Sequence, residues 1–151
     1  MEQDGCHVYR IDPHTLEVTQ VAHDFDHPNG LAFSTNEKHL FIADSGGTEG
    51  HTRPKHIRRF EVDASGKTLG SSTVFAECPA GFFDGFRIDQ QDRLWTSCAD
   101  GVICYRQDGR LIGKIKIPEM VANLTFGGVQ RNRLFICGTT SLYAVYLKVN
   151  G

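Results

Sequence analysis

The chain has 151 residues, a formal net charge of −2, 40% hydrophobic residues and 10% aromatic residues, a composition that suits one domain with a packed core. Acidic and basic residues are mixed and form no basic stripe, so we expect no nucleic-acid partner. No apolar run reaches the length of about 20 residues that spans a membrane, and the polar N-terminus is unlike a signal peptide. We therefore expect a cytoplasmic protein without membrane contact.

The first half of the chain predicts short β-strands joined by turns. Segments 6–11 and 16–22 alternate between apolar and polar residues and predict a hairpin, the outer half of one sheet. Further strands are predicted at 29–34, 40–44, 57–62 and 73–76. The polar loop at 45–54, which contains His51 and Arg53, is a candidate rim for a binding site because long loops in compact domains are often functional.

The second half of the chain continues in the same way. Strands are predicted at 84–89, 94–97, 102–105, 111–117, 122–126, 134–137 and 142–147. Segments of ten or more residues with helical periodicity are absent from the sequence. The chain is therefore predicted to be all-β, with antiparallel neighbouring strands.

One pattern occurs three times, starting at Asn29, Asp84 and Ala122: an apolar strand, a charged turn and a second apolar strand. Hairpins that recur at roughly 40–50 residues indicate the blades of a β-propeller. The strands amount to about three to three and a half four-stranded blades, whereas known propellers close with about four to eight. Either residues 1–151 are the C-terminal portion of one larger propeller, which we favour, or two copies close one ring. Open edges predict self-association.

Asn29 and Asp84 stand at equivalent places in two repeats, and each is followed by a glycine. Because the innermost strand of a blade lines the central channel, we expect the two side chains to converge there. Amide and carboxylate oxygens suit calcium or magnesium better than zinc. Asn-Gly and Asp-Gly are also common turn sequences, so a purely structural role stays open. Asn123, one residue beyond the equivalent position in the third repeat, is a weaker candidate for substrate contact.

The chain contains five cysteines and no Cys-X-X-Cys pair. Cys98, Cys104 and Cys137 lie in or beside apolar strands. We interpret the cysteines as reduced and mostly buried rather than as ligands of a structural zinc ion.

Several of these segments, in the same order, resemble the SMP-30/gluconolactonase family. Residues 27–45, which begin His-Pro-Asn-Gly-Leu-Ala-Phe-Ser, are similar to the family stretch that contains its metal-binding asparagine. Residues 83–95 resemble the stretch that contains its metal-binding aspartate, with Phe83 where the family usually has proline. Residues 121–128 and 137–143 resemble the C-terminal signature of bacterial gluconolactonases.

The resemblance implies a six-bladed propeller that binds one divalent cation, usually calcium, and hydrolyses sugar lactones. It assigns metal binding to Asn29 and Asp84 and the role of general base to Asp84. Zinc, magnesium or manganese would be alternative cations. The family's metal-binding glutamate and a further asparagine lie on earlier blades and have no counterpart here, which implies that this chain alone has an incomplete site.

Two functions follow from the sequence. The first is metal-dependent hydrolysis of a small-molecule sugar lactone, in which the cation polarises the carbonyl and Asp84 takes a proton from water. The second is a catalytically incomplete propeller fragment or pseudoenzyme that serves as a binding or scaffold module.

Overall fold

The computed structural model describes residues 4–48, 50 and 52–151. Within them, the chain forms thirteen β-strands and one short 3₁₀ turn at Gly46–Thr48. No helix in this part of the chain is long and apolar enough to cross a membrane. The prediction of an all-β chain is confirmed.

The strands form four antiparallel sheets, and the strand order within each sheet follows the chain. The first sheet has two strands, β1 (Cys6–Ile11) and β2 (Val18–Phe25). The second has four strands: β3 (Pro28–Phe33), β4 (His39–Asp44), β5 (His56–Val62) and β6 (Leu69–Glu77).

The third sheet also has four strands: β7 (Phe86–Ile88), β8 (Leu94–Cys98), β9 (Gly101–Tyr105) and β10 (Leu111–Lys116). The last sheet has three: β11 (Val121–Gly127), β12 (Arg133–Gly138) and β13 (Leu142–Tyr146). Two complete blades, half a blade before them and most of one after them make up a partial β-propeller, as predicted.

Backbone hydrogen bonds join the innermost strands of successive sheets. The amide of Gly30 donates to the carbonyl of Asp84 at 3.1 Å, and the amide of Gly85 donates to the carbonyl of Ala122 at 2.8 Å. The two bonds repeat the same geometry from one blade to the next. They place Asn29, Asp84 and Ala122 at equivalent positions around the hub.

The core lies between the sheets rather than within one of them. Phe41, Ile57, Phe83, Phe86 and Ile103 pack together where the second sheet meets the third. Where the third sheet meets the fourth, the core consists mainly of Trp95, Val102, Cys104, Leu124, Leu134 and Ile136, and Trp95 packs edge-on against Phe126 at 6.1 Å between ring centroids. Strands β4, β8 and β9 are buried along nearly all of their length because a sheet covers each of their faces.

All five cysteines are free thiols, and Cys78, Cys98 and Cys104 are buried. Burial raises the pKa of the Cys104 thiol to about 12, so it remains protonated and unreactive at neutral pH. The expectation of burial is wrong for Cys137, which is exposed. On β12, Leu134 and Ile136 face the core. The alternation of the strand therefore turns Cys137 toward the uncovered side of the last sheet.

Candidate active site

The structure brings Asn29 and Asp84 together. Asp84 lies two residues before β7, whereas the sequence predicts a strand from residue 84. Asn29 lies inside β3, because the strand begins at Pro28, which pairs with Asp44 before the register shifts. The Asn29 side chain lies close enough to the Asp84 carboxylate to act on the pKa of that carboxyl group. An amide and a carboxylate from adjacent blades therefore meet at one point of the hub.

The glycine after each of these residues is required by the close approach of the next blade. A Cβ atom added at Gly30 would lie 2.2 Å from the carbonyl oxygen of Asp84. One added at Gly85 would lie 2.2 Å from Oδ1 of Asn123. Neither contact is possible for a larger residue without movement of the neighbour. The glycines thus allow the inner strands to approach closely.

Two buried serines form hydrogen bonds with the Asn29 side chain and with the backbone of Asp84. Ser45 Oγ accepts a hydrogen bond from Asn29 Nδ2 at 3.3 Å and donates one to the carbonyl of Phe83 at 2.6 Å. Ser97 Oγ accepts a hydrogen bond from the amide of Asp84 at 3.2 Å. The sequence analysis did not single out either serine. It missed this supporting role because they do not occupy equivalent positions in the repeat.

Asp44 is a third supporting residue that the sequence did not single out. Its carboxylate is 1% exposed and accepts hydrogen bonds from the amides of Asp26, His27 and Gly46 at 3.0, 2.9 and 3.1 Å. These contacts fix the chain that enters β3 and the start of the loop that carries Ser45. An acidic residue at the end of an otherwise apolar strand was the only available clue.

Burial governs the acidity of Asp84. Partial removal from water raises the pKa of its carboxyl group, and the Asn29 side chain opposes part of this effect. The raised pKa makes Asp84 a stronger base than a solvated aspartate. The side chain remains partly exposed, so water can reach it.

Asn123 lies beside this pair without a hydrogen bond to it among the described contacts. Its Oδ1 accepts a hydrogen bond from the amide of Leu124 at 2.8 Å, and its side chain covers Gly85. Phe83, which stands where the family usually has proline, is fully buried and packs edge-on against Tyr105 at 6.2 Å. An aromatic anchor therefore fixes the segment before Asp84. His51 lies outside the described residues, and Arg53 is exposed in the loop after β4.

The donor atoms fit a hard cation in type. An amide oxygen, a carboxylate and a nearby hydroxyl are all oxygen ligands of the kind that calcium prefers. The described residues contain no group of three or more His, Cys, Asp or Glu side chains that would hold a metal. The number of protein ligands at this point is therefore small. Asn29 and Asp84 would supply two of the six to eight oxygens of a calcium site.

Comparison with known proteins agrees with the fold. Residues 1–140 match the family model described as the SMP-30/Gluconolactonase/LRE-like region. The gluconolactonase of Zymomonas mobilis is 26% identical over 154 residues, which cover 95% of this chain and 41% of that protein.

Two solved structures are similar over 96% of the chain. A gluconolactonase from Xanthomonas campestris superposes with a TM-score of 0.84 at 34% identity over 46% of its length. Regucalcin from Agrobacterium tumefaciens, described as a calcium-binding protein, superposes with a TM-score of 0.78 at 20% identity over 53% of its length, which shows a shared fold. The chain thus spans about half of each of these proteins.

Proposed function

The chain belongs to the SMP-30/gluconolactonase/LRE-like family, and from this premise we propose that it takes part in the hydrolysis of a sugar lactone. The observation that carries the proposal is the contact between Asn29 and Asp84, which joins a basic carboxylate to an amide at the hub. The names of relatives support the reaction class, since a similar protein in Zymomonas mobilis is a gluconolactonase. Residues 1–151 would form the C-terminal portion of a single propeller domain.

Asp84 is the proposed general base. Its carboxylate takes a proton from water as the water oxygen forms a bond to the lactone carbonyl carbon. The ring C–O bond then breaks, and the proton held by Asp84 passes to the departing ring oxygen, which leaves a sugar acid with a new hydroxyl group. Asn29 orients the carboxylate, and Ser97 fixes the backbone of Asp84 at 3.2 Å.

We propose that Asn29 and Asp84 also bind a divalent cation, with calcium preferred to magnesium, zinc or manganese. When bound, such a cation supplies Lewis-acid polarisation of the lactone carbonyl. The oxygen chemistry of the two side chains supports calcium, as does the similarity to a protein described as calcium-binding. The remaining ligands would come from water or from parts of the propeller that this chain does not contain.

A calcium titration by calorimetry, with Asn29→Ala and Asp84→Ala variants, tests the site. With two protein ligands, we expect weak binding with a Kd on the order of 10⁻³ M, near the weak end for protein calcium sites. Each substitution should abolish the binding, whereas Asp108→Asn, a change on an exposed turn, should preserve it. Absence of binding by the unsubstituted chain would contradict a cation site built from this chain alone.

Hydrolysis of gluconolactone, measured as acid release with and without chelator, tests the reaction. We expect acid release above the spontaneous rate, and we expect this excess to be lost in Asp84→Ala and reduced by chelator.

A second function is favoured by the small number of described metal ligands. In this alternative, the chain is a catalytically incomplete propeller segment that binds ligands or partners. Lactone binding without hydrolysis would support that alternative.

A further inference from the structure

A cavity lies between the loop that follows β4 and the loop that precedes β7, and Ser45 of the first loop accepts a hydrogen bond from Asn29. Its volume is about 350 Å³, which falls within the range of about 300–1,000 Å³ that is typical of small-molecule sites. Its lining consists of Gly47, Thr48, Gly50, Lys55, Gly81 and Phe82. None of these residues belongs to the site described above.

The two loops that form this cavity also carry the supporting contacts of the site. Ser45 in the first loop donates a hydrogen bond to the carbonyl of Phe83 in the second at 2.6 Å. Thr48 Oγ1 lies 3.4 Å from Nδ1 of His27, two residues before Asn29. The same two loops therefore border the cavity and hold the residues next to Asn29 and Asp84.

Lys55 supplies a positive charge to the lining of the cavity. Its side chain is exposed, and it has no ion-pair partner in the part of the chain that the structure describes. Its backbone is fixed, because the carbonyl of Lys55 accepts a hydrogen bond from the amide of Cys78 at 2.8 Å. A Cβ atom at Gly47 would lie only 3.3 Å from that of Lys55, so the glycine leaves room beside the lysine. Phe82, half-buried, provides an apolar wall.

We propose that this cavity is a subsite for an anionic group at the far end of the sugar lactone, a phosphate or a carboxylate, bound by the ammonium group of Lys55. This inference rests on the proposed function for the position of the reacting end. An ammonium group is a compact point charge that binds either anion. The ring carbons of a sugar pack on the aromatic face of Phe82. The substrate class is thus an acidic or phosphorylated aldonolactone.

Binding of stable ring analogues tests the subsite without relying on catalysis. Calorimetry would compare glucose, glucuronic acid and glucose 6-phosphate on the unsubstituted chain, on Lys55→Gln and on Lys116→Gln. Lys116 is an exposed lysine on β10 and serves as the matched control. Inorganic phosphate alone would measure the contribution of the anion. Thermal unfolding of each variant would verify that the exposed substitutions leave the fold intact.

We expect at least one anionic sugar to bind 10-fold or more tightly than glucose, and Lys55→Gln to remove this preference while Lys116→Gln retains it. The better of the two anionic sugars identifies the group as phosphate or carboxylate. Equal binding of the three sugars, no binding of any, or a preference that survives Lys55→Gln would overturn the subsite. Gluconolactone hydrolysis is measured separately. If the chain hydrolyses gluconolactone but shows no preference for anionic sugars, the subsite alone is refuted. If the chain prefers anionic sugars through Lys55 but does not hydrolyse gluconolactone, the proposed reaction alone is refuted.

Discussion

At the hub, the two site residues depend on the glycines that follow them, but the two glycines meet different neighbours. The space beside Gly30 is filled by the backbone carbonyl of Asp84, whereas the space beside Gly85 is filled by the side chain of Asn123. A backbone atom in a packed blade cannot move without strain, whereas an asparagine side chain can rotate or be removed. The two glycines should therefore respond differently to the same substitution.

We expect Gly30→Ala to lower the free energy of unfolding by roughly 3 kcal/mol and Gly85→Ala by roughly 1–2 kcal/mol. Urea denaturation measures both values. The double variant Gly85→Ala/Asn123→Ala should recover most of the loss, because the obstructing side chain is gone. Gly30→Ala/Asn123→Ala is the matched control and should show no recovery. Equal recovery in both pairs would mean that the close contact at Gly85 is not with Asn123.

The stability of the protein should also depend on the charge of Asp84. Burial raises the pKa of this carboxyl group above the value of 3.8 for the unfolded chain, so the folded state holds the proton more tightly. The resulting stabilisation is fully present below pH 3.8 and is lost as the pH rises through the folded-state pKa. At neutral pH without cation, the ionised Asp84 therefore destabilises the fold.

Asp84→Asn should accordingly be more stable than the unsubstituted chain at pH 7 in chelator, by roughly 0.5 kcal/mol or about 1–2 °C in Tm. The difference should shrink toward pH 3, where both side chains are neutral. Thermal unfolding across this pH range measures it, and Asp108→Asn is the exposed control. A variant that is less stable at pH 7 would show that the Asp84 carboxylate contributes more through its contacts than it costs through burial.

Among the elements, strands and turns were predictable, and the contacts between blades were not. Alternation and turn residues placed all thirteen strands within a few positions, because each hairpin is specified locally. The convergence of Asn29 and Asp84 followed from the repeat. The roles of Ser45, Ser97 and Asp44 depend on contacts between distant segments or across a loop. These three residues do not occupy equivalent positions in the repeat, so the repeat pattern does not reveal such contacts.

The loop that enters β3 offers an element-scale test with a matched control. Asp44 and Asp63 each accept three backbone amide hydrogen bonds, but Asp44 is buried and Asp63 lies on the exposed β5–β6 turn. Loss of a buried acceptor leaves amides without partners, whereas water replaces an exposed one.

We expect Asp44→Ala to cost roughly 3 kcal/mol in unfolding free energy and to weaken the fixation of Asn29, whereas Asp63→Ala should cost much less. Asp44→Asn, which keeps one acceptor oxygen, should fall between them. Chemical denaturation measures stability, and hydrogen exchange of the amides of Asp26, His27 and Gly46 reports the local effect. Equal losses for Asp44→Ala and Asp63→Ala would contradict a special role for the buried carboxylate.

For the whole molecule, an apolar surface stays uncovered where the first sheet meets the second. Leu31 and Phe33 on β3 are 49% and 47% exposed, and Tyr9 on β1 is 45% exposed. They line an apolar groove together with Val8 and Val21. The two-stranded first sheet lies at one end of the chain and the three-stranded last sheet at the other.

We therefore expect the isolated chain to self-associate into a dimer that covers this groove, because an exposed apolar patch beside an unpaired strand edge favours pairing. Light scattering after size exclusion at about 50 μM should give twice the mass of 16.8 kDa. Leu31→Gln/Phe33→Gln should shift the population to monomer, since both side chains lie in the groove. Val129→Gln changes an equally apolar but fully exposed turn residue and should leave the dimer intact. A monomeric unsubstituted chain, or a dimer unaffected by the double substitution, would mean that this groove is not the surface through which copies meet.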